Sequence, residues 1–129
     1  MENMKNYLGV DWGEKRIGLA SADSETRLAL PLKTVATLAE LLVVIDEEEI
    51  DEVVLGAPQK MSGAAADSPA WQNFLTRLKE QGGRPVKLVD ERLSSLAADS
   101  LAGKKTEKAG RDEIAATLIL QNYLDRNVN

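Results

Sequence analysis

Apolar and polar positions follow two rhythms along this chain. From Tyr7 to Asp11 a short apolar run ends in Asp-Trp-Gly, and after the turn-like Gly-Glu-Lys a second run extends from Arg16 to Ala22. Two such runs around a short turn predict an antiparallel hairpin. Arg27–Val35 has the pattern of a third strand, reached through SADSETR, whose small and acidic residues favour a turn. Pro31 lies inside it and has no N–H to give a ladder, which predicts an edge strand or a bent one.

The period then lengthens. Leu38, Leu41, Leu42 and Ile45 recur at helical spacing, which predicts a helix over 37–49 with Thr37 as its cap. Val53–Gly56 is an unbroken apolar run of the kind buried in parallel sheets. GAPQKMSGAAADSP reads as a loop. Pro69–Gln81 reads as a helix, with Trp71, Phe74, Leu75 and Leu78 on one face and Gly82-Gly83 as its stop. A strand from Val86 to about Asp90, a short helix in LSSLAADSLA, a polar basic loop in AGKKTEKAGR and a last helix in DEIAATLILQNYLDR complete the pattern. Three strands followed by helix, strand, helix, strand, helix predict an α/β fold. Its mixed five-stranded sheet has antiparallel N-terminal strands, then βαβ crossovers, with helices on its faces. The 129 residues support a single domain, 1–129, around one core.

Composition narrows the chemistry. The chain has neither cysteine nor histidine, which excludes thiolate and imidazole metal sites and every Ser-His or Cys-His nucleophile. Carboxylates, hydroxyls, lysines and backbone dipoles remain, and an oxygen-only donor set favours a hard cation, magnesium or manganese. The N-terminus lacks the charged-then-apolar pattern of a signal peptide, and no apolar run reaches the length of a membrane span, so a cytoplasmic location without membrane partners is expected. The net charge of −5 argues mildly against binding nucleic acid. Its distribution argues otherwise. Glu40, Asp46, Glu47, Glu48, Glu49, Asp51 and Glu52 crowd one stretch, while Lys104, Lys105, Lys108 and Arg111 make residues 103–111 locally basic against Glu107 alone.

Three carboxylates stand at predicted element ends, each with a plain alternative. Asp11 closes the first strand beside Gly13 and Gly18; it is either a site acid or a turn-stabilising acceptor. In Asp90-Glu91-Arg92 the strand's alternation puts Asp90 with Leu88 and Glu91 with Val89, so one acid of the pair enters a site at the strand end. The longer Glu91 is the expected one, with Asp90 and Arg92 supporting it; the alternative is a solvated strand exit. Asp112 lies in the first turn of the last helix, where it serves as N-cap, site acid or both. Ala115 and Ala116 behind it are small enough to let that helix approach the sheet.

The segments GVDWGEKRIGLASAD, EVVLGAP, VKLVDERLSSLAA and DEIAATLILQNYLD, in this order across residues 8–125, resemble the YqgF family, also called RuvX, within the ribonuclease H-like superfamily. The resemblance implies a metal-dependent nuclease that matures the 5′ end of 16S ribosomal RNA from its precursor, with resolution of Holliday junctions as the older proposal. It implies Asp11, an acid of the DER triplet and Asp112 as the active-site and metal-binding carboxylates. Lys15, Arg16, Lys104, Lys105, Lys108 and Arg111 are the expected nucleic-acid contacts, with Gly13 supporting the turn. The loop PQKMSG departs from the family pattern, which has an Asn and an acidic residue around the Met, and DERLSS carries serines in place of threonines. These changes bear on substrate choice more than on fold. Two other classes remain open. The hairpin GVDWGEKRIG also resembles the phosphate-binding hairpin of the actin, Hsp70 and sugar-kinase group, though those proteins close two such domains around ATP. A non-catalytic RNA- or ribosome-binding module is the other.

Overall fold

A computed structural model describes residues 4–57, 68–90 and 111–127. Five strands, β1 (Asn6–Trp12), β2 (Ile17–Asp23), β3 (Leu30–Val35), β4 (Glu52–Ala57) and β5 (Val86–Asp90), form one sheet in the order β3-β2-β1-β4-β5. β1 and β2 pair antiparallel, as do β2 and β3; β4 joins β1 in parallel and β5 joins β4 in parallel. The described residues hold three helices, α1 (Leu38–Glu47), α2 (Pro69–Gly82) and α3 (Arg111–Asn127). The mixed α/β sheet expected from the pattern is the one observed. The proposed short helix in LSSLAADSLA and most of the loop after β4 lie outside the described residues.

Local chemistry accounts for most boundaries. Thr37 caps α1 by accepting from the Glu40 N–H, and Ser68 caps α2 by accepting from Trp71 N–H, with Pro69 in the first turn. Gly83, at φ 66°, ends α2 in a left-handed conformation that suits glycine. Pro31 is both predicted things at once: β3 is the sheet's edge strand, and its register against β2 slips between Leu19 and Ala20. β3 begins at Leu30, however, and not at Arg27. Arg27 adopts φ 53°, and the Asp23 carboxylate accepts from the N–H groups of Glu25 and Thr26, folding the stretch into a turn.

The strand period sorts side chains onto two faces. Leu8, Val10, Leu19, Val53 and Leu55 pack with Leu41 and Ile45 of α1 and with Trp71, Phe74 and Leu78 of α2. Tyr7, Ala20, Val54 and Val89 pack with Ala116, Ile119, Leu120 and Leu124 of α3. Helix α3 thus covers one face alone among the described helices, and it lies very close. A Cβ built on Gly9 would stand 2.7 Å from Leu120 Cβ and 2.8 Å from the Ala116 carbonyl. Ala116 is one of the small residues expected to permit this approach, and Gly9 on the strand is a second that the sequence pattern did not single out.

Candidate active site

The side chains of β1 alternate between the two faces of the sheet. Leu8, Val10 and Trp12 point to α1 and α2, while Tyr7 and Gly9 point to α3. Alternation therefore sends Asp11, half-buried, toward α3 at the carboxyl end of β1. Across the ladder Asp11 pairs with Gly18 of β2, and Gly18 pairs with Thr34 of β3.

Gly18 decides where α3 begins. A Cβ there would lie 2.1 Å from the Asp112 carbonyl oxygen and 2.7 Å from Asp112 Cβ, so only a glycine leaves the start of the helix room to rest on β2. Asp112 consequently sits over the residue directly opposite Asp11, one strand away, which in an antiparallel pair is about 4.5–5.5 Å between Cα atoms. Two acids that are 101 positions apart in sequence meet at one sheet end. Asp112 is the second residue of α3, and its side chain turns to Arg16, whose Nε lies 3.2 Å from Oδ2. Both Asp112 and Glu113 fall in the first turn, where a helix favours negative charge.

Glu113 is the residue that sequence reading overlooked. Thr34 Oγ1 donates to Glu113 Oε2 at 2.9 Å, so a second carboxylate of α3 is tied down over β3 beside Asp112. The signal lay in the consecutive pair Asp112-Glu113, which reads equally well as complement to the helix dipole.

The other expected residues divide into three groups. Gly13 donates its N–H to the Arg16 carbonyl at 2.9 Å and closes the β1–β2 turn. Lys15 and Arg16 are exposed in that turn, at the same sheet end as Asp11. Of Asp90 and Arg111 the backbone alone is described: Asp90 pairs with Ala57 at the end of β5, and Arg111 opens α3. Glu91, Arg92, Lys104, Lys105 and Lys108 lie outside the described residues. Among the described residues no cluster of three or more potential metal-binding side chains forms. Asp11 and Asp112 supply oxygen donors alone, which suits a hard divalent cation and no softer metal.

Comparison with known proteins follows the same lines. A family model described as RuvX, Holliday junction resolvase, matches residues 5–126. Relatives named "Putative pre-16S rRNA nuclease" include one from Chloroflexus aggregans, 37% identical over 139 residues and covering 98% of each chain. Another, from Desulfitobacterium hafniense, is 39% identical over 128 residues and covers 92% of this chain and 90% of its own. Thermus thermophilus RuvC, solved in complex with a Holliday junction substrate, superposes with a TM-score of 0.64 over 95% of this chain and 97% of its own. At 17% identity that likeness is one of fold, and the fold is ribonuclease H-like. Matched by the family model from residue 5 to residue 126, the chain belongs to the RuvX family.

Proposed function

We propose that this protein is a metal-dependent endonuclease acting on the 5′ end of precursor 16S ribosomal RNA, with Asp11, Glu91 and Asp112 as the carboxylates that hold magnesium or manganese. The observation that carries the reading is the seat of Asp112 on Gly18, opposite Asp11. It gathers two carboxylates at one sheet end in a chain that has no histidine or cysteine to offer a metal. Glu91 is the proposed third acid because Val89, two positions before it, faces α3. A bound divalent cation supplies activation of water and charge neutralisation at the leaving oxygen.

The protein's own groups do the rest. Asp11 is carried by a central strand and Asp112 by the helix resting on it, so their separation is set by backbone packing. Arg16 holds the Asp112 carboxylate in place and, with Lys15, offers positive charge to a phosphate beside it. The N-terminal end of α3 adds its dipole. Names of relatives with nearly full mutual coverage support the ribosomal substrate.

Purified protein incubated with precursor 16S rRNA and, separately, with a four-way DNA junction, each with magnesium, manganese or chelator, tests the proposal. Cleavage of the RNA only with metal is expected, and Asp11→Asn should reduce it by more than a hundredfold. Metal-dependent cleavage of the junction alone would favour the resolvase reading, which the family description supports. Binding without cleavage of either would make the protein a non-catalytic module.

A further inference from the structure

We propose that the cleft between the β1–β2 turn and the first turns of α1 and α2 receives one unpaired nucleobase of the substrate, stacked on Trp12. The proposal rests on the reading of this chain as a nucleic-acid enzyme and adds that the strand it handles is locally single.

Position comes first. Trp12 follows Asp11 on β1 and points to the opposite face of the sheet, toward α1 and α2. One residue of strand rises about 3.3 Å. A nucleic-acid strand crossing this sheet end thus meets Asp11 on one side and Trp12 on the other, so a phosphate held by the carboxylate side has its neighbouring base within reach of the indole.

The cleft has the size and lining of a base site. Its volume is about 260 Å³, just under the roughly 300 Å³ at which pockets begin to hold drug-sized molecules. One base fits, and because a base inside a duplex has its faces covered by its neighbours, only an unpaired one can lay a face on Trp12. Trp12 is half-buried, and its ring lies 5.8 Å from that of Phe74 at a tilt of 30°, so Phe74 backs it as a fixed platform. Unpaired bases stack on such rings whatever their identity. Asn73 and Arg77 line the same cleft, stand one helical turn apart on α2, and are both exposed. An amide can pair with a base edge, and a guanidinium with a base acceptor or the adjoining phosphate. Glu14 also lines the cleft and adds an acceptor for an exocyclic amine; its charge disfavours a second phosphate there. Thr37 is already engaged as the cap of α1.

Tryptophan fluorescence tests this directly, because the chain has two tryptophans and they differ. Trp71 is buried and its Nε1 has no hydrogen-bond partner among the described residues, so Trp71→Phe removes none of the described bonds and leaves Trp12 as the reporter. In chelator, titration with a short single-stranded oligoribonucleotide should quench Trp12 saturably, and the duplex of that oligonucleotide with its complement should not. In protein that keeps both tryptophans, anisotropy of the labelled single strand should show Trp12→Leu weakening binding roughly tenfold, with Trp12→Phe recovering most of it. Asn73→Ala combined with Arg77→Ala should weaken it similarly at an unchanged melting temperature, which decides the matter even if Trp12→Leu folds poorly. Binding by anisotropy without quenching, or equal quenching by the duplex, would overturn the base site. Cleavage of precursor RNA separates the two readings. If wild type cleaves and Asp11→Asn does not, while the cleft variants bind and cleave as wild type, the nuclease stands and the cleft falls. If wild type neither binds nor cleaves, both fall.

Discussion

Asp112 is open to two jobs, and the structure changes the balance between them. From sequence, three converging acids without metal imply repulsion, so that Asp112→Asn is expected to be neutral or slightly stabilising. The Arg16 guanidinium at 3.2 Å answers that repulsion, and it is worth at most about 1 kcal/mol because Arg16 is 73% exposed. Asp112→Asn in chelator should therefore cost little, under about 1 kcal/mol. Millimolar magnesium should raise the wild-type melting temperature by mass action, and the variant should lose most of that rise. Asp112 is the second residue of α3 and not its N-cap, so its local alternative is a charge–dipole role, which predicts that Asp112→Asn and Asp112→Ala each cost about 0.3–1 kcal/mol in both conditions and keep the full magnesium response. Thermal melts of the three proteins separate these outcomes. Glu52, at the far end of the sheet, counts by sequence as one more acid of the crowded stretch before Val53, yet it opens β4 and is 5% exposed. The Tyr123 hydroxyl donates to it and Lys5 lies 3.6 Å away, partners that no local pattern announces. Burial first, then the Glu52 hydrogen bond and charge, push the Tyr123 hydroxyl well above its ordinary value of 10.0. A raised folded-state pKa gives stability that is complete below the unfolded value and is lost as pH rises above about 10. Tyr123→Phe should cost about 1–3 kcal/mol at neutral pH, because buried Glu52 loses a donor. Its melting temperature should fall less steeply than that of wild type above pH 10.

Elements whose signals are local were legible; those held by distant partners were not. The β1–β2 hairpin, the Thr37 and Gly83 ends of the helices and the approach of α3 through small residues all follow from neighbours in sequence. The false start of β3 at Arg27 does not. Residues 27–29 carry a strand-like pattern, yet Gln121 of α3 takes their backbone groups, accepting from Ala29 N–H and donating to the Arg27 carbonyl. That contact spans more than 90 positions. The acids Asp11 and Asp112 could be named as candidates because strand ends and first helical turns are local features. Their meeting depends on Gly18, which from sequence is one turn-region glycine among several. Gly9 and Gly18 both face α3, so they allow a comparison. Alanine at either forces backbone apart and should cost about 1–3 kcal/mol or more. Gly9→Ala pushes on the middle of α3, and its residual activity should track the folded fraction. Gly18→Ala displaces Asp112 itself and should lose at least tenfold more cleavage than stability explains, measured well below both melting temperatures. Equal activity per folded molecule in the two variants would mean that the seat of α3 on Gly18 does not position the site.

At the scale of the molecule, the acidic net charge and a nucleic-acid substrate are reconciled by polarity. β1, β3, β4 and β5 all end at one sheet edge, so α1, α2 and α3 all begin there, next to Asp11 and the exposed Lys15 and Arg16. The acidic stretch, Glu40 in the first turn of α1 excepted, falls at the opposite end: α1 ends at Glu47, and Asp51 accepts from the Asn6 N–H at the start of β1. Most of that stretch is thus kept a strand length from the proposed site, whose own end carries Lys15 and Arg16 beside Glu14, Glu40 and Glu113, and a phosphate backbone is repelled more strongly from the far pole. The basic residues Lys104, Lys105 and Lys108 precede α3 in sequence, and α3 starts at the pole of the proposed site. Two triple variants distinguish local contact from overall charge, since each changes the net charge by about three units in magnitude. Lys104, Lys105 and Lys108 replaced by Ala should flatten the dependence of log affinity on log salt by about two for single-stranded RNA, because fewer counterions are released. Glu47, Glu48 and Glu49 replaced by Gln should strengthen binding slightly and leave the slope as it was, because those side chains touch no phosphate. Anisotropy in chelator across a salt series reads both. An unchanged slope in the lysine variant removes that loop from the interface, and a slope altered by the glutamate variant would show that the far pole is in contact after all.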